Sequence, residues 1–576
     1  MTELYIDEKP VAIPAGTSLT IKQQNPLITK NGTFSLDLSL SLRERNNSIL
    51  YKHIERFQSN VAFKSRKALL IADNKIIING SEAFISNTNE EVKIQLLSGN
   101  SELNYFIGSD LYISDLDLGT EQDLTDSYMN SVVDKRYPAS SFAPARVKVD
   151  AEILNNFTET PIESGWYYSF SNKALQPYLV GMLEKVIKAL GYTIVYNQLL
   201  DDDFICRLFF LSNVKSLEYN KHLPGWKAKE FLEECETFFN VVFDINSSDK
   251  TVRILRSQTI NPIGTFEIDN ILDDYTCEES KTSELNYQNV GYDFSGSTYY
   301  KYADIEENVL KQAVITTFPD YNSLASFVKV DSSYMIPESE ASKYFKTLNM
   351  FYVQFSDTYY IVDKYSYNTS GPGETTSGSW YYLRPIHCFR KITNNTDATA
   401  LKLKFIPAQP FFQAAGGSLI NVNVFPYQSE KVEETEEETD LKQLIEKGIK
   451  DLNSSQKKVC LAIYTGGSDG LLKATAAQMD YIHETVFSLE VIYPAGDSKT
   501  LRLDGINGLH KKYYQANSKY DFSKEYTIKF ISNKIPDVRA DFLFQNKLFA
   551  CKELEYTISN DGISPIITGT FLPVII

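Results

Sequence analysis

The chain is poor in the residues that most often carry chemistry. Its 576 residues include only six cysteines, five histidines and three tryptophans. The cysteines, Cys206, Cys235, Cys277, Cys388, Cys460 and Cys551, form no C-x-x-C pair, so neither a disulfide framework nor a thiolate metal site is expected. They read as small buried hydrophobes. His53, His222, His387, His483 and His510 form no H-x-H or H-x-x-x-H pair, which argues against zinc. No apolar run approaches the ~18 residues of a membrane helix. The opening Met1-Thr2-Glu3-Leu4-Tyr5-Ile6-Asp7-Glu8 is acidic where a signal peptide is basic, so export by that route is not expected. There is no G-x-x-x-x-G-K-[ST] phosphate loop and no G-x-S-x-G elbow.

Basic charge is also short. Lys and Arg number 57 against 74 Asp and Glu, a net charge of −17. That excludes a bulk basic face for gripping DNA. It leaves room for a surface past which DNA slides without sticking.

Aromatics are abundant instead, with 37 Tyr and 34 Phe. Tyr suits strands and interfaces because its ring packs while its hydroxyl reaches water. Hydrophobic residues at 43% and charged residues at 23% mark a folded chain. The length suggests about three to five domains.

The first 120 residues read as strands and tight turns. Phe34, Leu36, Leu38, Leu40 and Leu42 alternate with Ser35, Asp37, Ser39, Ser41 and Arg43, which predicts one strand with one buried face. Asn31-Gly32 precedes it as a hairpin signal. Ala68–Ala72 and Lys75–Ile78 flank Asp73-Asn74 as a second hairpin. Val92, Ile94 and Leu96 continue the alternation to Gly99, and a short helical piece spans Asn47 to Phe57. This predicts a β-barrel-like domain over 1–120.

Residues 121–164 read as an extended connector. An α+β module follows at 165–257. One helix is expected over Leu175 to Leu190, capped by Ser171 or Asn172 and stopped by Gly191. A second is expected over Lys227 to Phe239, burying Phe231, Leu232, Cys235, Phe238 and Phe239. Residues 258–428 form a second β-rich, barrel-like domain. Ser370–Gly378 reads as a flexible loop, and Leu401, Leu403 and Phe405 as a strand ended by Pro407. An acidic run from Glu430 to Asp440 marks a linker or helix over 429–452. A C-terminal α/β domain, 453–576, ends in a β-meander. The fold class is mainly β with α+β modules.

Candidate sites are weak. Gly466-Gly467-Ser468-Asp469-Gly470 reads as a turn rather than a phosphate cradle. Asp201-Asp202-Asp203 hints at a cation site but reads better as a solvated loop. Trp226 packs a helix entry, and Trp380-Tyr381-Tyr382 pack a core or an interface. No catalytic, cofactor-binding or metal-binding residue is assigned, no cofactor is implied, and the chain is read as not an enzyme.

Several segments, in order along the chain, carry a resemblance. They are Leu4-Tyr5-Ile6-Asp7, Asn25 to Phe34, Leu50-Tyr51-Lys52-His53, Ser98 to Asn104, Trp226 to Phe239 with Phe243-Asp244, and Leu401 to Ala408. Tyr526 to Phe530, Ile535-Pro536-Asp537 and Lys547 to Cys551 complete the set. Together they resemble the tail hub, or baseplate hub, proteins of tailed phages and prophages. The resemblance implies a trimeric ring with two β-barrels per chain at the distal end of the tail tube. It implies partners: the tube or an adjacent ring protein on one side, and fibre or spike proteins on the other. It also implies DNA passing through the lumen without specific binding, no membrane insertion, and a virion component assembled in the host cytoplasm. The rival readings are a carbohydrate-binding, adhesin-like tip protein and a glycoside hydrolase or lysin.

Overall fold

The computed structural model describes residues 2–56, 66–102, 111–149, 152–163, 165–223, 225–247, 249–257, 262–272, 275–279, 290–293, 314–331, 334–345, 349–354, 358–371, 374–386, 401–415, 418–424, 459–468, 471–475, 501, 509–514, 520–521 and 523–575. The chain is mainly β. Among the described residues its largest unit is a 14-stranded sheet built from the first hundred residues, from Thr265–Glu267 and Thr276–Glu279, and from residues beyond 520. The strand Leu19–Gln24 lies between Thr33–Ser35 and Lys547–Ser559, antiparallel to both. Leu4, Ile21, Leu38, Leu70, Ile94, Phe530, Leu554 and Phe571 share one hydrophobic core. Segments read from the sequence as separate domains therefore contribute to a single sheet and core.

No sheet closes into a barrel among the described residues. The expectation of barrels came from period-two burial, which reports one dry face. A curved open sheet produces the same pattern as a closed one.

Three two-residue turns fix the hairpins. Asp7-Glu8, Asp73-Asn74 and Gln545-Asn546 all have positive φ at both positions, the geometry that matches strand twist. Asp73-Asn74 joins Arg66–Ala72 to Lys75–Asn87 as expected. The Asn31-Gly32 signal is used differently. Asn25 caps a one-turn helix, Pro26–Thr29, that ends at left-handed Lys30. Gly32 then packs against the Ser98 carbonyl, where a Cβ would sit 2.6 Å away.

The Phe34–Leu42 strand is broken. Thr33–Ser35 and Leu38–Ser41 are separate strands, and the burial phase slips between them. Ser35, Leu38, Leu40 and Leu42 face inward, whereas Leu36 is 41% exposed. Ser35 goes inside because its hydroxyl accepts the Leu96 N–H at 2.9 Å.

Residues 121–164 are not an extended connector. They form the helix Asp126–Val132 and the strands Val147–Val149, Glu152–Leu154 and Asn156–Ile162. Met129, Val132, Phe142, Val147 and Phe157 join a second core. That core also holds the helices Leu179–Ala189 and Ala228–Phe239. They cover a sheet of Thr193–Asn197, Thr251–Arg256 and Val241–Asn246. The first helix starts later than expected because Pro177 precedes it, and the residue before a proline avoids helical backbone. The second matches its expected limits.

The Leu401–Phe405 alternation is split between Leu401–Leu403, beside Val290–Tyr292, and Phe405–Pro407, beside Val459–Ser468. Of the expected loop Ser370–Gly378, Ser370-Gly371 and Glu374–Gly378 are strand, since Thr358–Gly371 pairs with Glu374–Ile386 up to Gly371 opposite Glu374, and 372–373 lie outside the described residues. That hairpin belongs to a four-stranded sheet with its own small core around Leu324, Phe351 and Tyr360. The acidic run Glu430–Asp440 lies outside the described residues.

Candidate functional site

The helix Ala228–Phe239 places Phe231, Leu232, Cys235, Phe238 and Phe239 in the core, as its periodicity requires. Two carboxylates are buried on it as well. Glu234 Oε1 accepts the backbone N–H groups of Lys404 at 2.7 Å and Phe405 at 3.1 Å. It thereby satisfies donors at the start of the strand Phe405–Pro407. Glu236 faces Lys30 Nζ at 3.7 Å, and Lys30 also reaches Thr237 Oγ1 at 3.4 Å. Burial pushes both carboxyls up to about 7. Their positions were legible: Glu234 is three residues from Phe231 and four from Phe238, and Glu236 is four from Leu232 and three from Phe239. Both fall on the apolar stripe. Neither is singled out in the sequence analysis.

A third joint lies nearby. Glu102 is fully buried and accepts hydrogen bonds from Ser81 and Lys250. The Gly99 N–H donates to Ser247 Oγ at 2.6 Å. These contacts bind the N-terminal strands to the helical module.

Around these joints the N-terminal strands, the module and the C-terminal segment enclose a cleft of about 950 Å³. Ile76, Ile77, Ile535 and Pro536 supply apolar lining, and Lys75, Lys534 and Arg539 supply cations. Arg539 is engaged by Asp537, with Nε to Oδ1 at 3.2 Å and Nη2 to Oδ2 at 3.1 Å. Ile535-Pro536-Asp537, Asp244, Gly32 and Gly99 belong to segments that carry the resemblance, but the sequence does not bring them together as a cleft. Its lining comes from segments hundreds of residues apart, and no local pattern encodes that.

The residues singled out as candidates are occupied in packing. Asp202 accepts the Phe204 N–H, Arg256 Nη2 at 2.8 Å and the Tyr513 hydroxyl at 2.8 Å. Asp203 pairs with Arg207 and Arg136, and Asp201 with the Tyr196 hydroxyl. The three acids thus point to separate partners. Among the described residues no three His, Cys, Asp or Glu side chains gather as a metal site. Trp226 is buried against Phe231 and Phe405. Tyr381 packs edge-on to Phe345, and Trp380 lies across from Tyr365 in the long hairpin. Gly466–Ser468 is strand, paired with Leu471–Lys473, and Asp469-Gly470 lies outside the described residues. Of the five described cysteines, Cys206, Cys235, Cys460 and Cys551 are buried, and Cys277 is exposed.

One Ser–His contact was not anticipated. Ser212 Oγ lies 2.6 Å from His222 Nδ1, and His222 Nε2 lies 3.1 Å from the Ser216 carbonyl. The carbonyl requires the proton on Nε2, so Nδ1 accepts from the serine. Both side chains are buried, and burial pushes the imidazole down to about 4. The pair braces the 212–222 loop.

No protein-family model matches the sequence, and no curated protein matches it. The solved structures that align along nearly the whole chain include two tail proteins. One is the 43 kDa tail protein of prophage MuSo2 from Shewanella oneidensis, at 8% identity and a TM-score of 0.31, covering 99% of this chain and 97% of that one. The other is the tail protein from Neisseria meningitidis MC58, at 7% identity and a TM-score of 0.29, covering 99% and 95%. At these scores neither likeness bears on the fold or function of this chain. Among the described residues no helix is long and apolar enough to cross a membrane.

Proposed function

We propose that the chain is a structural, non-enzymatic phage tail protein. In this reading it is a hub that forms a ring, trimeric by resemblance, at the distal end of the tail tube. One face meets the tube or an adjacent ring, the other meets fibres or a spike, and DNA passes through the middle. The single observation that carries the reading is where the buried acids go. Glu102, Glu234 and Glu236 are spent joining segments far apart in sequence, as a load-transmitting scaffold requires. A catalytic acid must also come within hydrogen-bond reach of a substrate. The ordered sequence resemblance supplies the kind of scaffold. The net charge of −17 suits a bore that repels phosphate and so does not trap DNA.

Imaging of the purified full chain tests this. An annular assembly with a hole wide enough for duplex DNA is expected. A persistent monomer, or tight, salt-sensitive duplex binding by the ring, would overturn it.

A further inference from the structure

The strands Asn156–Ile162 and Gly165–Ser171 form a two-stranded ribbon separate from every larger sheet. Directly opposed residues of an antiparallel pair share a face. Phe157 therefore lies beside Phe170, Glu159 beside Tyr168, and Pro161 beside Trp166. At the base this face is core, with Phe157, Tyr168 and Phe170 all buried. Towards the tip the same face becomes exposed, at Pro161 and Trp166. There Trp166, opposite Pro161, is 44% exposed.

The ribbon is firmly held. Asn130 Nδ2 donates to the Tyr168 carbonyl at 2.7 Å, and Asn130 Oδ1 accepts the Tyr168 N–H at 2.9 Å. Asp126 Oδ1 accepts the Phe170 N–H at 3.2 Å, and the Arg146 guanidinium stacks 3.5 Å over Phe157. An apolar knob on an ordered support loses little freedom on binding, which favours affinity. The exposed Glu163 gives its tip a negative charge.

The cleft of about 950 Å³ has the complementary character. Ile76, 62% exposed, stands on its lining with Ile77 and Ile535. Lys75 and Lys534 are exposed cations on the same lining, and its two acids, Asp244 and Asp537, both pair with Arg539. Its volume is at the upper end of pockets that hold a drug-sized ligand, ~300–1,000 Å³, which is room for a few side chains. No ribbon residue lines it, so the chain does not fill its own cleft with its own tip.

We propose that the Trp166 tip of one copy seats in the Ile76–Ile535 cleft of the next, with Glu163 against Lys75 and Lys534. This rests on the ring reading above and names its contact. Two different surfaces meet, so the interface is head-to-tail, the type that builds a ring when the rotation between copies closes.

The test uses the full chain in sedimentation across a concentration series. Trp166→Ala disables the tip, and the pair Lys75→Glu and Lys534→Glu disables the cleft. All three side chains are exposed, so denaturation midpoints should match wild type. Each variant should weaken self-association about tenfold or more, as truncating an aromatic anchor does. A mixture of the two should form dimers and nothing larger, because it offers one intact tip–cleft pair. Glu163→Lys combined with the two lysine reversals should regain association. If wild type assembles but the variants assemble equally well, or the mixture stays monomeric, the tip–cleft contact is wrong and the ring reading stands. If wild type never associates, the ring reading fails and takes this contact with it.

Discussion

Asp73 and Ile563 lie 490 residues apart and are joined by a hydrogen bond, the Asp73 carboxylate accepting the Ile563 N–H at 2.8 Å. The contact sets one hairpin turn against another. Beside it, Gly562 has φ +120°, and a Cβ there would come within 2.2 Å of Asp73 Oδ1.

Gly562→Ala should therefore destabilise the fold by about 1–3 kcal/mol, through backbone strain and the displaced carboxylate. In a double-mutant cycle with Asp73→Ala, denaturant midpoints should show the two changes costing less together than separately. Strict additivity would place the turns apart.

The broken strand makes a paired test. Leu38 is 1% exposed, and Leu38→Asp puts an unpaired charge into the core at a cost of about 3–5 kcal/mol. Leu36→Asp, at a 41% exposed position, should stay within about 0.5 kcal/mol of wild type. An uninterrupted strand would make both severe, so equal losses in urea titrations would refute the break.

The buried acids predict a pH dependence. Glu234 and Glu236 hold protons more tightly in the fold, up to about 7, than their ordinary 4.5. Lys404 and Lys30 oppose the shift, and Glu233 adds to it at Glu236. The folded state thus binds more protons between those values, and these groups add stability as pH falls from above 7 towards 4.5. The Glu234→Gln, Glu236→Gln double variant keeps the acceptors and removes the titration. The difference in unfolding free energy between wild type and this variant should move in favour of wild type by about 2 kcal/mol from pH 8 to pH 6. A flat difference would show that the two acids titrate normally.

His222 runs the other way. Its imidazole is held neutral down to about 4, against an ordinary 6.5. Its contribution is present above 6.5 and is lost as pH falls from there towards 4. His222→Gln should blunt acid destabilisation in that window, at a cost of about 1–3 kcal/mol at pH 8 for the altered Ser212 contact. Urea titrations at pH 5 and pH 8 read both effects.

Local signals in the sequence were legible where one pattern had one physical meaning. The apolar spacing from Phe231 to Phe239 fixed a helix, and Asp73-Asn74 between two apolar runs fixed a hairpin. Reading failed where several structures share a pattern. Leu36 keeps the alternation of its neighbours yet points outward, because Ser35 bonds the Leu96 N–H and shifts the phase. The segment from Glu121 to Glu163 has weak periodicity because it is divided among one short helix and three short strands. The cleft was invisible because Gln24, Asn79, Asn246 and Arg539 converge only in three dimensions.

The placement of Leu19–Gln24 also governs the order in which the chain can fold during synthesis. Lys22 bridges to Glu553, 531 residues later. Until the ribosome has released that partner, Leu19–Gln24 has one neighbour and an open edge, the kind that pairs with other nascent chains. The intervening module, with its local helix and hairpin contacts, is free to form meanwhile. Completion of the large sheet is then a late, long-range event, slow by the loop it must close.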